Sequence, residues 1–207
     1  MTTKKTTTSR KKSPTVKKTA SKTRSFKVPL IDLPRRPFVF EVLDLVSRQR
    51  TKAKKIEVLK KYEEFHLKVI FVWNFDESVV SVLPSGEVPY SGYDEQNTYS
   101  GTLSTKLTEE VRKMHETGSF SLGSGDKEGH TTIRRECKNF YHFVRGGNDG
   151  MNSLRRETMF INILEGLHPL EAEIVTLCKD KRLGEIYKIT KELVSEAYPD
   201  ITWGNRS

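Results

Sequence analysis

The sequence predicts an all-α protein: a compact bundle of about eight helices with a long irregular arm, preceded by a disordered basic tail. Two patterns predict the bundle, because apolar residues recur every three or four positions and Pro, Gly and capping residues separate these periodic segments. A third pattern, the near absence of apolar side chains before Phe26, predicts the tail. We therefore divide the chain into a tail at 1–27 and a domain at 28–207, with the irregular arm at 79–104 and a flexible loop at 118–130.

The first three helices are predicted between residues 37 and 75. Pro37 fits the first turn of a helix that runs to about Arg50, and Thr51 is a suitable cap for the second helix. The segment Phe65–Phe75 is apolar on nearly all sides, which predicts a helix at the centre of the core; a strand is the alternative, since β-branched and aromatic residues are frequent there. The side chains expected inside from the first two helices are Phe38, Val39, Val42, Leu43, Val46, Ala53, Ile56, Leu59 and Tyr62.

Helical spacing breaks between Val79 and Gly101. Prolines, adjacent Ser and Gly residues and isolated tyrosines predict an irregular arm with one short strand. We expect Tyr90, Tyr93 and Tyr99 to stack on bases or to pack on a protein partner; the alternative is that they lie back on their own domain.

Five further helices are predicted after the arm. The first runs from about Thr105 to Glu116, and the second, in HTTIRRECKNFYHFVRGG, ends at Gly146. Asn152 or Ser153 begins the third helix.

Pro169 begins the fourth of these helices at the position that proline prefers, and Gly184 ends it. The fifth, EIYKITKELVSEAY, is stopped by Pro199. The side chains expected inside are Ile133, Cys137, Phe140, Tyr141 and Val144 from the second helix, Leu154, Phe160, Ile161, Ile163, Leu164 and Leu167 from the third, Ala172, Ile174, Val175, Leu177 and Cys178 from the fourth, and Ile186, Ile189, Leu193 and Ala197 from the fifth.

The tail carries the strongest functional signal. Residues 1–27 contain ten Lys or Arg and no Asp or Glu, whereas residues 28–207 contain 26 basic and 27 acidic residues. A cationic chain binds a polyanion without needing a fold, so we expect sequence-nonspecific contact with the phosphates of DNA or RNA. A solubilising tail and a nuclear import signal are the alternatives. The residues expected to contact phosphate are Lys4, Lys5, Arg10, Lys11, Lys12, Lys17, Lys18, Lys22, Arg24 and Lys27.

Basic residues of the domain form further candidate surfaces. Around the junction of the first two helices, Arg48, Arg50, Lys52, Lys54 and Lys55 are expected to extend the phosphate-binding surface. The alternative is a solvated helix face, because exposed Lys is ordinary on amphipathic helices. The same two interpretations apply to Lys60, Lys61 and Lys68, to Arg134, Arg135 and Arg145, and to Arg155 and Arg156.

The sequence contains no recognisable catalytic or cofactor motif. Neither GxxxxGK[ST] nor GxGxxG occurs, and Cys137 and His142 are five residues apart, which does not place two metal ligands on one helix face. We expect Cys137 and Cys178 to be buried thiols in a reducing compartment, with a disulfide as the alternative.

The remaining polar candidates also have structural explanations. His168 before Pro169 is typical of a helix entry, and the acidic pairs Glu63–Glu64, Glu109–Glu110 and Glu171–Glu173 are expected on solvated helix faces. We therefore expect a non-enzymatic protein without metal or cofactor. An active site built from carboxylates far apart in the sequence stays open.

The segment LRRETMFINILEGLHPLEAEIVTLCKDKRL (Leu154–Leu183), with YHFVRGG before it and KELVSEAYP after it, resembles a family of unknown function from large tailed bacteriophages of the T-even type, including cyanophages. In that family a similar helix–His-Pro–helix–Lys-Asp-Lys hairpin closes a protein that begins with a leucine-rich, a Lys-rich and an apolar helix. The resemblance spans residues 37–201, and its most specific part is residues 157–181. It implies a phage setting, in the host cytoplasm or the virion, and no particular activity.

Together these features predict a bacteriophage protein that associates with nucleic acid or a nucleoprotein machine through its tail, with a phage or host protein complex as a further partner. The alternative is a virion component or an adaptor that binds the host transcription or translation machinery. We expect no membrane contact, because the longest apolar stretch, residues 67–75, is too short to cross a bilayer. The sequence predicts no oligomeric state.

Overall fold

The computed structural model describes residues 33–86, 88–91, 100–102 and 131–204. The tail, most of the irregular arm, the 118–130 loop and the helix predicted from Thr105 to Glu116 lie outside the described residues. The described elements, in chain order, are α1 (Val39–Arg48), α2 (Lys52–Lys61), α3 (Phe65–Phe75), β1 (Pro89–Ser91), β2 (Ser100–Thr102), α4 (Ile133–Glu136), a 3-10 helix (Cys137–Phe143), α5 (Ser153–Gly166), α6 (Pro169–Lys179), α7 (Leu183–Tyr187) and α8 (Lys191–Ala197). The all-α prediction is confirmed.

Helix α3 forms the centre of the core. Leu67, Ile70 and Phe71 are 1% exposed or less, and the helix packs against α6 and α8. Residues Phe65–Phe75 are helical throughout, so the strand alternative is wrong. Burial on several sides, rather than intrinsic propensity, stabilises a helix in this β-branched and aromatic segment.

Helices α1 and α2 begin near the predicted positions. Thr51 caps α2 as expected, accepting a hydrogen bond from the backbone N–H of Lys54 at 3.3 Å. Helix α1 is shorter than predicted: Phe38 is its N-cap, Pro37 precedes the cap, and the helix ends at Arg48. Ala53, predicted inside, is exposed. Helix α2 instead packs on α1 and α8 around the fully buried Leu59.

The segment predicted as one helix up to Gly146 differs most from expectation. A single turn of α-helix continues as a 3-10 helix, which ends at Phe143. Three residues per turn place every third side chain on one face, so the buried face carries Cys137, Phe140 and Phe143. Tyr141, predicted inside from helical spacing of 3.6, is 50% exposed.

The chain after the 3-10 helix pairs with the start of the arm. Val82 N–H donates to the Phe143 carbonyl and Arg145 N–H to the Val80 carbonyl, both at 2.9 Å. Gly147 then turns the chain so closely beneath the Tyr141 carbonyl that any side chain there would overlap it. The pairing with the arm and the close approach of Gly147 together fix the path of the chain after the 3-10 helix.

The C-terminal helices are divided differently from the prediction. Asn152 caps α5 and Pro169 is the first residue of α6, as expected. Helix α6 ends at Lys179, and Gly184 lies inside α7 rather than ending α6. The predicted last helix is two helices, since Lys188 adopts a left-handed conformation with φ of 53° between α7 and α8.

Two apolar side chains of these helices are exposed against expectation. Leu154 is 73% exposed and Ile186 is 39% exposed. Leu154 lies in the first turn of α5, where that helix extends beyond the core, and Ile186 lies just before the break at Lys188.

The described part of the arm contains two short strands instead of one. They pair in antiparallel register, Pro89 with Thr102 and Ser91 with Ser100. Tyr93, Tyr99 and the side chain of Tyr90 lie outside the described part of the structure, so their contacts stay predictions.

Both cysteines are free and buried, as predicted. Cys178 is fully buried in α6 and Cys137 is 8% exposed. Within the described ranges, no helix combines the length and the apolar character that a bilayer span requires.

Candidate nucleic-acid interface

The ten predicted tail contacts lie outside the described residues, so the structure places the five candidates of the α1–α2 junction. They do not form one free basic surface. Arg48 is half-buried and donates to the Asp44 carboxylate at 2.5 Å, within α1. Arg50 and Lys54 are exposed and form no ion pair with a described residue.

The other two junction lysines hold α2 against the C-terminal region. Lys52 forms an ion pair with Glu196 of α8. The Lys55 ammonium donates to the Lys188 carbonyl at 2.8 Å, and burial, followed by the positive charge of Lys188, lowers the pKa of Lys55. These two amines cross-link helices, so their charge is partly compensated inside the protein.

The lysines that continue this surface likewise include both bonded and exposed side chains. Lys68 of α3 contacts both Glu63 and Asp200, the latter at 2.7 Å, and these hydrogen bonds raise its pKa. The Lys61 ammonium lies 5.3 Å from the ring centroid of Tyr62, while Lys60 is exposed. On this face, acids of the domain thus pair with Arg48, Lys52 and Lys68.

A second basic region surrounds a groove between the 3-10 helix and α5. The groove has a volume of about 1220 Å³. One wall is the face of the 3-10 segment that carries Glu136, Asn139 and His142, because the three-residue repeat aligns these side chains. Helix α5 forms the other wall, through Leu154, Arg155, Thr158, Met159 and Asn162 among others.

Part-buried hydrogen bonds hold the 3-10 helix, the turn after it and α5 together beside this groove. Arg156, predicted as a surface cation, is 8% exposed, and its guanidinium donates to the carbonyls of His142 at 2.9 Å and Asn148 at 2.8 Å. The Asn148 amide also donates to Nδ1 of His142 at 2.9 Å, which leaves the proton of the neutral imidazole on Nε2. Arg134 is partly exposed and pairs with Glu64.

The rim of the groove carries exposed cations. Arg135, Lys138 and Tyr141 share the exposed face of the 3-10 segment, next to the face that lines the groove. Arg155 is exposed on the opposite wall, and Arg145 is exposed in the turn beyond the 3-10 helix. None of these four basic side chains forms an ion pair with a described residue.

The acidic residues nearby are engaged in local hydrogen bonds. The Glu136 carboxylate accepts from the Thr131 hydroxyl and the Asn139 amide, both at 2.8 Å. Asp149 accepts from the backbone N–H of Gly146 at 3.0 Å. These hydrogen bonds fix the groove wall and the turn but leave both carboxylates charged, so the two acids offset part, and not all, of the charge of the four exposed cations.

One acidic residue was predicted to be solvated and is instead buried. Glu171 is 1% exposed, and its carboxylate accepts from the first backbone N–H of two other helices: Val39 of α1 at 3.2 Å and Ile133 of α4 at 2.9 Å. Burial raises the pKa of Glu171 to about 7, with the nearby Glu41 as a further cause. Its evident role is to satisfy helix N-termini that have no internal partner.

The candidate nucleophile and bases do not converge on a cavity. Burial raises the pKa of Cys137 and lowers the pKa of His168 to about 4. His168 caps α6 through its Nδ1 and stacks on Phe40, with ring centroids 4.9 Å apart. In the part of the chain that the structure describes, no three His, Cys, Asp or Glu side chains are grouped to hold a metal ion.

A smaller cavity of about 500 Å³ lies where the arm meets the end of α6. The buried Lys179 side chain lines this cavity. Its ammonium donates to the carbonyls of Pro84 and Gly86 and to the Asp180 carboxylate at 2.6 to 3.1 Å. All these acceptors belong to the fold itself. The lysine therefore ties the beginning of the arm to α6.

The groove was not predicted from the sequence. The signal that could have located it is the repeat of apolar residues at exact intervals of three, Cys137, Phe140 and Phe143, which is typical of a 3-10 helix. Interpreted with a period of 3.6, the segment instead placed Tyr141 and Val144 inside and did not include Phe143.

Comparison with known proteins places the chain in a family. The model of a family described as a family of unknown function (DUF6433) matches residues 42–127 and 122–185, two overlapping segments that together cover most of the chain. Neither the curated proteins nor the solved structures include a significant match.

Proposed function

The chain belongs to the DUF6433 family, whose function is unknown, and we propose that it is a non-enzymatic protein that binds DNA or RNA through the basic segment at residues 1–27. The observation that carries this proposal is the separation of charge along the chain. All ten charged side chains of that segment are basic, while the remaining 180 residues have 26 basic and 27 acidic residues. Such a segment neutralises phosphates without requiring a defined base sequence.

The contacts at the α1–α2 junction support a larger contribution of the tail than of the domain to phosphate binding. Arg48, Lys52 and Lys55 are bonded to groups of the domain itself, so moving them onto phosphates would cost these contacts. Arg50 and Lys54 are exposed and can add to the binding of a nearby strand. The ten cations of the tail therefore provide most of the phosphate neutralisation in this proposal.

The test replaces the ten Lys and Arg residues of 1–27 with Gln in the full-length chain. Binding to a duplex and to a single-stranded oligonucleotide should weaken at least tenfold at about 150 mM salt, and the slope of log K against log salt should flatten. For ten engaged charges that slope approaches about −9 on duplex DNA. A variant with the residues of 1–27 in shuffled order keeps the charge and should bind like the original chain. Equal binding by the Gln variant would refute the proposal.

The setting of this activity follows from the resemblance of Leu154–Leu183 to proteins of T-even-type phages. We propose that the protein acts in an infected bacterium, in the host cytoplasm or packaged in the particle, where it meets a phage or host protein complex. Mass spectrometry of purified particles distinguishes the two locations. A stoichiometric amount in the particle indicates a virion component, whereas recovery only from infected-cell lysate indicates action in the cytoplasm.

A further inference from the structure

We propose that the groove between the 3-10 helix and α5 binds the bases of single-stranded nucleic acid, with Tyr141 as the stacking platform. This inference rests on the proposed function and specifies its substrate class. In this view the tail supplies attraction to any phosphate chain, and the groove selects strands whose bases are free.

The first argument is the exposure of Tyr141. An aromatic side chain that is 50% exposed, on a helix whose other aromatic residues Phe140 and Phe143 are buried, presents a flat apolar surface to solvent. Its ring centroid lies 3.9 Å from that of His142, which lines the groove. His142 therefore covers one face of the Tyr141 ring, and a base would stack on the other face, one residue away from the groove lining. Such stacking tolerates any base, because every base has a π-face.

The second argument is charge. Arg135 and Lys138 lie on the same exposed face as Tyr141, and Arg155 lies on the opposite wall. Arginine and lysine on both sides of an aromatic platform are the arrangement that single-strand binding surfaces use to hold the backbone while bases stack. The neighbouring acids Glu136 and Asp149 are hydrogen-bonded within the wall and the turn.

The third argument is the chemistry and size of the groove. Asn139 and Asn148 each use their amide N–H₂ internally and retain a carbonyl oxygen, while His142 retains Nε2–H. Together they offer acceptors and a donor to base edges. A volume of about 1220 Å³ exceeds the ~300–1,000 Å³ of ordinary small-molecule pockets, which suits a chain segment better than an enclosed metabolite.

The bases of a duplex cannot bind at this site. Its bases are paired and stacked, so their faces cannot reach Tyr141 unless the duplex opens. We therefore expect bases to contribute to affinity only in single strands.

The experiment measures the full-length protein by fluorescence anisotropy with two single-stranded probes of about 20 nucleotides, oligo-dT and the same backbone with abasic sites throughout. The ratio of their dissociation constants isolates the contribution of the bases. We expect the abasic probe to bind about tenfold more weakly than oligo-dT. In Tyr141→Ala the ratio should fall below about twofold, while Tyr141→Phe should keep it because the phenyl ring still stacks. Phe65→Ala is the matched control, since Phe65 is 73% exposed and belongs to α3, which contributes no residue to either wall of the groove.

The outcomes separate this inference from the proposed function. An equal ratio in the original chain and in Tyr141→Ala, with each variant folded by circular dichroism, overturns the groove while leaving tail-driven binding intact. No binding of either probe by the original chain overturns both. Tight competition by polyglutamate at this site, unaffected by Tyr141→Ala, would assign the groove to an acidic peptide instead and would also overturn the inference.

Discussion

Two basic regions of this protein look alike in the sequence and differ in the structure. At the α1–α2 junction, Lys52 is paired with Glu196 and Lys55 donates to the Lys188 carbonyl. Around the 3-10 helix, Arg135 and Lys138 are exposed and form no ion pair with a described residue. Each is adjacent in sequence to a residue that lines the groove. In the denser run of basic residues, residues 48–55, three of the five cations are thus bonded to groups of the domain itself.

The difference teaches that charge density along a chain does not determine how much charge is available to a ligand. The groups that bond Lys52 and Lys55 come from α8 and the turn before it, more than 130 residues away in the sequence. The acids at the groove are local, as in Glu136 with Asn139. They fix the wall and offset only part of the charge of the four exposed cations.

The largest expected effect concerns Glu171, which joins the two regions by accepting hydrogen bonds from α1 and α4. Glu171→Ala leaves two buried backbone N–H groups without an acceptor. At about 1–3 kcal/mol for each unsatisfied group, the free energy of unfolding should fall by about 2–6 kcal/mol in urea denaturation. Glu57→Ala, which removes an exposed helical carboxylate of α2, is the control and should change it by less than about 0.5 kcal/mol. A similar small change in both variants would show that solvent replaces these hydrogen bonds.

The same carboxyl group predicts a pH dependence. Its pKa is about 7 in the folded protein against 4.5 ordinarily, so the unfolded chain releases the proton first as pH rises. The stability that Glu171 contributes is therefore complete below pH 4.5 and is lost progressively up to pH 7, by about 3 kcal/mol. Glu171→Gln cannot ionise, so the difference in unfolding free energy between it and the original chain should change with pH across this window. A constant difference would mean that the carboxylate stays charged.

A smaller effect is expected when two charges are removed from either region and the salt dependence of nucleic-acid binding is compared. Arg135→Gln with Lys138→Gln should lower the magnitude of the salt slope of nucleic-acid binding by about 2, because each phosphate contact contributes about one. Lys52→Gln with Lys55→Gln removes the same charge from side chains already bonded to the domain, and should leave the slope nearly unchanged. Equal changes in the two double variants would mean that binding depends on net charge and not on its location.

Much of the helical scaffold could be predicted, because its signals are local. Thr51 and Asn152 cap helices through their own side chains, and Pro169 begins α6, as the sequence indicated. Helix α3 was assigned from its apolar length, although its β-branched residues left a strand open. These signals depend on residues within a single helix.

The rest depends on contacts that the sequence does not display. Glu171 resembles any acid in the first turn of a helix until α1 and α4 bring their N-termini to it. Arg156 was grouped with surface cations because its acceptors are backbone carbonyls, which are present at every residue. The 3-10 helix was misassigned for a different reason: periods of 3.0 and 3.6 agree over one turn and diverge by the second, at Tyr141.

The smallest expected effect tests whether the pairing of Lys52 with Glu196 is energetically real. Both side chains are more than half exposed, so water and salt screen their attraction. A double-mutant cycle with Lys52→Gln and Glu196→Gln should give a coupling of about 0.2–1 kcal/mol in unfolding free energy, falling as salt increases. The parallel cycle of Lys54→Gln with Glu196→Gln should give none, because Lys54 forms no ion pair with a described residue. If Lys52 and Glu196 also show no coupling, packing of α2 on α8 holds the junction alone, and Lys52 becomes as available to phosphate as the cations of the groove rim.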